Sequence, residues 1–189
     1  MIELIKRDNI ENYNVYQSEY IVKNHESIVN DSFITHEKFL RRYGHLKLSS
    51  TWAYHHYNVF SLSATSVHFY NIYKEFIDCL KDFLSTQETK YEYIWQESWL
   101  NYHSQNEVLN WHNHDFPYHG YLSIDPKNTT TLFENYEIEN KIGQFYFGLG
   151  FKKHAVRVNE SYEGKRITLA YDIFIEKNSD GDNSLFPVY

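Results

Sequence analysis

Hydrophobic positions repeat most regularly in Ser66–Leu84, where apolar side chains recur every three or four residues. This spacing predicts a helix with one wide apolar face. The apolar positions are Val67, Tyr70, Tyr73, Phe76, Ile77, Leu80, Phe83 and Leu84. Ser63, Thr65 or Ser66 can cap the helix, because a hydroxyl accepts a hydrogen bond from a free N–H of the first turn. Cys79 falls on the apolar face, so we expect it in the core.

From Tyr91 onward the pattern changes to short strand-like runs separated by Gly, Asn, Asp or Pro. Short strands at regular spacing behind one long helix predict a sandwich or barrel. We expect the helix to cover the outer face of one sheet, which would otherwise expose apolar surface. The predicted strands are Tyr91–His103, Tyr118–Ile124, Thr130–Phe133, Gln144–Phe147, Ala155–Val158 and Ile167–Ile175.

The rest of the chain is less regular. We expect extended structure in Met1–Ile5 and Thr51–Leu62 and a short helix in Asp31–Arg42. The polar cluster after Lys177 predicts a terminal tail or a loop before a last short strand. A length of 189 residues suits one domain. We divide it into N-terminal strands with the supporting helix (1–90), a β core (91–177) and a tail (178–189).

Composition excludes several classes of function. The net charge is −7 and no basic run is longer than two residues, so binding to nucleic acid is not indicated. No apolar run approaches the length of a membrane span. One cysteine excludes an intramolecular disulfide, and the first residues lack the apolar segment of a signal peptide. We therefore expect a cytoplasmic protein. Aromatic residues make up 19% of the chain, which favours β structure.

The strongest chemical signal is the run Trp111-His112-Asn113-His114-Asp115. Residues two apart on a strand share a face, so His112 and His114 converge, while Asp115 points away unless the strand is bulged. His154 is the sole histidine after His119, which makes it the candidate for a third ligand. Imidazole suits iron, zinc, copper or nickel. The sequence therefore predicts a mononuclear metal site.

Four motifs carry a family resemblance. They are Trp99-Leu100-Asn101, the pair His112 and His114, the run Gly143–Phe147 followed by His154, and Gly164 with Arg166 and Thr168. Across about residues 95–175 the chain resembles the 2-oxoglutarate- and Fe(II)-dependent oxygenases, in particular their small bacterial and phage-type group. The resemblance implies a mainly β fold, a double-stranded β-helix of the jelly-roll or cupin-like type with flanking helices.

The resemblance also implies chemistry. Iron would be held by His112, His114 and His154, and 2-oxoglutarate and dioxygen would be co-substrates in the hydroxylation of an unidentified substrate, with release of succinate and CO2. Arg166 would pair with the far carboxylate of 2-oxoglutarate, because the guanidinium fork matches two oxygens. Thr168 on the same face would add a hydroxyl. Tyr121 and Asn101 are the further candidates for the cofactor pocket, chosen from a neighbourhood that includes Tyr118, His119 and His103.

The sequence departs from the usual set of two histidines and one carboxylate. His114 stands two residues after His112, and Asp115 stands one residue late. Either the site has three histidines, or a bulge brings Asp115 in place of His114. Three neutral ligands would also make zinc a credible occupant. Two other functions stay open: a cupin-like metal enzyme that does not use 2-oxoglutarate, and a non-enzymatic β-barrel that serves as a binding or structural module.

Overall fold

The computed structural model describes residues 1–43, 58–62, 66–87, 93–107, 109–175 and 186–188. Its helices are α1 (Glu19–Lys23), α2 (His25–Tyr43), α3 (Val59–Leu62) and α4 (Val67–Ser85). Its strands are β1 (Ile2–Asp8), β2 (Tyr13–Ser18), β3 (Trp95–His103), β4 (Tyr118–Asp125), β5 (Thr129–Phe133), β6 (Glu137–Glu139), β7 (Gln144–Leu149), β8 (His154–Val158), β9 (Arg166–Phe174) and β10 (Phe186–Pro187).

Seven strands form the larger sheet, in the order β1-β2-β7-β4-β9-β3-β10, and every pairing is antiparallel. Strand β9, which pairs with β4 on one side and with β3 on the other, alternates between two environments. Ile167, Leu169, Tyr171 and Ile173 belong to the main hydrophobic core, while Arg166, Thr168 and Asp172 are buried polar residues between them. The strand period of two thus gives this sheet one apolar face and one polar face.

The polar face looks toward a three-stranded antiparallel sheet of order β6-β5-β8. Side-chain contacts cross the space between the sheets. The ring of His119 in β4 lies 4.9 Å from that of His154 in β8, and Nε of Arg166 in β9 donates a hydrogen bond to Oγ1 of Thr129 in β5 at 3.2 Å. No strand pairing joins the two sheets within the described residues. The fold is thus mainly β, with two facing antiparallel sheets and a few helices.

Helix α4 packs on the apolar face of the larger sheet, as its pattern predicts. Phe76 lies 5.8 Å from Phe147 and 4.9 Å from Tyr171 between ring centroids, and Phe83 meets Tyr118 at 5.3 Å. Ser66 caps the helix by accepting a hydrogen bond from the backbone N–H of Phe69. Cys79 is buried in this core, as expected, and burial raises the pKa of its thiol.

The structure differs from the sequence prediction mainly before residue 64. The extended structure expected for Thr51–Leu62 is wrong at Val59–Leu62, which form α3, and residues 51–57 lie outside the described part. The helix expected at Asp31–Arg42 begins earlier, at His25. Strands β2 and β6 were not predicted. Of the proposed tail, only residues 186–188 are described, and they include the short strand β10. Within the described segments, no helix has the length and apolar character needed to cross a bilayer.

Candidate metal centre and cofactor cavity

The segment that precedes β4 is held against β8 by backbone hydrogen bonds. His112 and His154 exchange both of their bonds, with N to O distances of 3.0 and 2.8 Å, so the two residues form an antiparallel bridge. On either side, the N–H of Val156 donates to the carbonyl of Leu109, and the N–H of His114 donates to Gly150. This pairing places His112 beside His154, although 42 residues separate them in the chain.

Three imidazoles meet at this bridge. His112, His114 and His154 each offer one ring nitrogen, and these nitrogens all lie within 4.8 Å of one another. Ring centroids are separated by 4.3 Å for His112 and His154, by 5.3 Å for His112 and His114, and by 5.4 Å for His114 and His154. The spacing of two along the chain and the bridge across it therefore produce the cluster that the sequence predicts.

Each of these rings has its Nδ1 engaged. Nδ1 lies 2.7 Å from the carbonyl oxygen of Asn110 in His112, 3.1 Å from that of Lys152 in His154, and 3.0 Å from the carboxylate of Asp172 in His114. These oxygens accept, so each Nδ1 carries the proton and each Nε2 keeps a free lone pair. Nε2 of His114 is buried without a hydrogen-bond partner. This pattern is the one by which proteins orient histidines that bind a metal.

Burial lowers the pKa of two of these imidazoles, His112 and His154. Burial, together with the neighbouring rings of His119 and His112, lowers the pKa of His154 to about 2. Burial also lowers the pKa of His112. An unprotonated imidazole is the form that binds a metal, so a lowered pKa keeps His112 and His154 in that form at neutral pH.

A second cluster adjoins the first and contains a carboxylate. Asp172 accepts hydrogen bonds from Nδ1 of His114 at 3.0 Å and from Nδ1 of His119 at 2.8 Å. The rings of His114 and His119 stack at 3.7 Å. Burial would raise the pKa of Asp172, but these two hydrogen bonds outweigh it and lower the pKa below its ordinary value. Burial lowers the pKa of His119 to about 4.

Asp115, the alternative ligand, lies elsewhere. Its side chain is exposed and belongs to neither cluster of ligand-capable side chains found among the described residues. No bulge turns it toward His112, because His114 occupies the buried position next to His154. The structure therefore groups His112, His114 and His154 and leaves Asp115 outside that group.

One cavity connects these clusters to the predicted cofactor residues. It has a volume of about 360 Å³ and is lined by all four histidines of the two clusters and by Arg166, Thr168, Tyr121 and Asn101. Asn101 and Thr168 are cross-strand neighbours, and Nδ2 of Asn101 lies 3.4 Å from Oγ1 of Thr168. Tyr121 is buried and stacks on Tyr146 at 5.3 Å. The structure thus gathers every residue that the sequence selected, apart from Asp115, around one space.

Arg166 lies at the opposite end of β9 from Asp172, and only 3% of its surface is exposed. Within the described residues no carboxylate forms an ion pair with it, and its hydrogen bond to Thr129 uses Nε alone. His103 faces it across the β3–β9 pairing, with Nδ1 buried and unpartnered. Burial, and then the nearby charge of Arg166, lowers the pKa of His103 to about 4. This end of the cavity therefore carries a buried positive charge, which is costly unless it is paired.

Asp172 is the residue that the sequence prediction missed. The strand period of two could have identified it. Asp172 lies an even number of residues after Arg166 and Thr168, so its side chain is on the same face of β9 as theirs. The same parity joins His119 to Tyr121 in β4. Because β4 and β9 pair with His119 opposite Asp172, the two residues meet across the strands.

Comparisons with known proteins give a likeness in fold. No family model and no curated protein matches the chain. Among solved structures, IDO from Bacillus thuringiensis has a TM-score of 0.52 at 9% identity, over 89% of this chain and 95% of that one. At such low identity the match shows a shared fold alone.

Two further solved structures are similar at lower scores. An oxidoreductase of the 2OG-Fe(II) oxygenase family from Burkholderia pseudomallei has a TM-score of 0.46 at 15% identity, over 60% of this chain and 61% of that chain. The non-heme alpha-ketoglutarate-dependent epimerase SnoN from nogalamycin biosynthesis has a TM-score of 0.48 at 9% identity, over 87% of this chain and 76% of that one.

Proposed function

We propose that this chain is an Fe(II)- and 2-oxoglutarate-dependent dioxygenase with a double-stranded β-helix fold. The observation that carries the proposal is the pairing of two features in one cavity. Three histidines with free Nε2 atoms line one end, and the buried guanidinium of Arg166 lacks a described anionic partner at the other. A metal at the first end and a carboxylate at the second would satisfy both.

The protein side chains fit this pair of ligands. His112, His114 and His154 would hold the iron, and all three line the cavity. Arg166 would grip the far carboxylate of 2-oxoglutarate, with Thr168 and Asn101 beside it. Tyr121 lines the same cavity and is buried.

The bound iron would supply the activation of dioxygen, by which 2-oxoglutarate is oxidised to succinate and CO2 and one oxygen atom is inserted into a substrate C–H bond. The chain itself supplies position and exclusion of water. The two facing sheets bury His114, His154 and Arg166, so the electrostatic contacts of the site act in a medium with little water. The open end near Trp111 and Asn113 is the side from which a primary substrate would enter.

Turnover without a primary substrate tests this proposal. We expect the protein to release labelled CO2 slowly from 1-14C-labelled 2-oxoglutarate, and to do so only with both Fe(II) and dioxygen. His154→Ala is the control and should release none, because it lacks a ligand. Release that is equal in the wild type and in His154→Ala would contradict the assignment of the metal centre.

A three-histidine set is also a known arrangement for catalytic zinc, which keeps a second candidate in view. In a zinc enzyme Arg166 would bind an anionic substrate instead of 2-oxoglutarate. Stoichiometric zinc binding without any affinity for 2-oxoglutarate would favour that alternative.

A further inference from the structure

Asp172 is a buried carboxylate that has no lysine or arginine paired with it in the part of the chain that the structure describes. It is 1% exposed, and its hydrogen-bond partners are Nδ1 of His114 and Nδ1 of His119. A charge buried in this way is costly unless something nearby compensates it.

The orientation of His114 indicates what compensates it. Nδ1 of His114 is committed to Asp172, while Nε2 is buried and unpartnered and belongs to the cluster with His112 and His154. A divalent cation at that cluster would therefore lie on the far side of one imidazole from Asp172. The carboxylate, the histidine and the metal would form a relay in which the carboxylate orients the ring and increases its basicity.

The net charge of the three histidines also indicates that Asp172 compensates a metal. Three neutral imidazoles bring no negative charge to the metal, whereas the usual facial set brings one through its carboxylate ligand. Asp172 is the sole carboxylate in either cluster of ligand-capable side chains within the described residues. It stands one imidazole away from the predicted metal position.

We propose that Asp172 is a positioning residue, which orients His114 and supplies from behind it the negative charge that a carboxylate ligand would otherwise give. This inference rests on the metal centre of the proposed function. The competing arrangement has Asp172, His114 and His119 as the ligands themselves. That arrangement would not explain why the carbonyls of Asn110 and Lys152 orient His112 and His154 with their Nε2 atoms free.

Titration with Co(II) and Zn(II) tests the proposal without any need for turnover. In Asp172→Asn the side-chain volume is kept and the charge is lost. We expect one Co(II) per chain, bound about 10- to 100-fold more weakly than in the wild type, with shifted visible absorption bands. The matched control is Asp115→Asn, which removes the same charge next to His114 in the sequence but from an exposed side chain. It should leave affinity and spectrum within about twofold of the wild type.

Two outcomes of this titration overturn the proposal. If Asp172→Asn binds Co(II) with wild-type affinity and spectrum, the carboxylate is merely structural. If His112→Ala still binds Co(II) while Asp172→Asn and His119→Gln do not, Asp172 is a ligand in the second cluster. Under our proposal His119→Gln keeps a donor for Asp172 and binds Co(II) normally.

A measurement on the wild-type protein covers the case in which Asp172→Asn does not fold. Nitrogen NMR of the histidine rings in the Zn(II)-bound protein should show His114 bound to the metal through Nε2, with a proton retained on Nδ1. Metal bound through Nδ1 of His114 would overturn the proposal. The proposed function fails separately: a wild type that binds Co(II) as described but never binds 2-oxoglutarate would refute the dioxygenase and leave the role of Asp172 standing.

Discussion

Replacing Arg166 with methionine removes a buried guanidinium and keeps most of the side-chain volume. If Arg166 holds the far carboxylate of 2-oxoglutarate, the variant loses a desolvated, hydrogen-bonded charge pair. Such a loss costs about 2–5 kcal/mol, which corresponds to a fall in affinity of about thirtyfold or more. Calorimetry with Mn(II)-loaded protein measures this directly, because Mn(II) occupies the centre without turnover. Mn(II) affinity should be unchanged, since it depends on the histidines.

The thermal stability of the ligand-free variant is a second, independent test of the role of Arg166. Arg166 is buried without a described carboxylate partner, so its charge costs free energy until an anion binds. We therefore expect the Tm of metal-free Arg166→Met to equal or exceed that of the wild type. A residue that stabilises the fold through an ion pair would give the opposite result.

Arg157→Met is the matched control for this experiment. Arg157 lies on β8 with its side chain 48% exposed, and its NH1 pairs with Glu137 at 3.1 Å. Its loss should change neither 2-oxoglutarate affinity nor Mn(II) affinity. The reasoning is refuted if Arg166→Met binds 2-oxoglutarate as tightly as the wild type, or if both arginine variants weaken it equally.

Three further predictions concern the histidines and Asp115. His112→Ala and His154→Ala should each abolish stoichiometric Fe(II) binding while circular dichroism shows the fold intact; near-native affinity in either would exclude that residue as a ligand. Asp115→Ala should bind Fe(II) almost normally and His114→Ala should not, and the reverse result would mean that Asp115 is the ligand. The ordinary pKa of histidine is 6.5, and burial lowers the pKa of His103 in the folded protein to about 4. Metal-free protein should therefore lose stability as the pH falls between these values, by at most about 1.4 kcal/mol per pH unit for this group. His103→Asn should show a shallower loss in acid unfolding, and an unchanged slope would show that His103 is not held neutral.

Helix α4 was predictable from the sequence because its buried positions are all apolar, although Val67 and Tyr70 of the predicted apolar face are exposed. Helix α2 was predicted only in part, and its buried positions explain why. They are Ile28, Ser32, Thr35 and Phe39, which follow helical spacing but include two small polar residues. The hydroxyl of Ser32 is satisfied by the carbonyl of Ile28, so it can be buried without an apolar signal in the sequence.

The sequence predicted that His112, His114 and His154 meet, because two histidines stand two residues apart and one follows His119. The strand assumed for His112 and His114 is not present: both residues precede β4, and the bridge between His112 and His154 brings the group together. Asp172 was not predicted, because its partner His114 lies 58 residues earlier and the contact depends on the order of β4, β9 and β3 in the sheet. The position of Asp115 likewise depends on the backbone bridge between His112 and His154. Pairing over such distances in sequence leaves no local pattern to read.

The most direct test of the central claim is an anaerobic titration of the wild-type protein with Fe(II) and 2-oxoglutarate. We predict a visible charge-transfer band from 2-oxoglutarate chelated to the iron, which saturates at one iron and one 2-oxoglutarate per chain. Fe(II) binding without the band would contradict the use of 2-oxoglutarate and favour a cupin-like metal enzyme. A protein that binds neither would be a β-rich module in which His112, His114 and His154 meet without a metal.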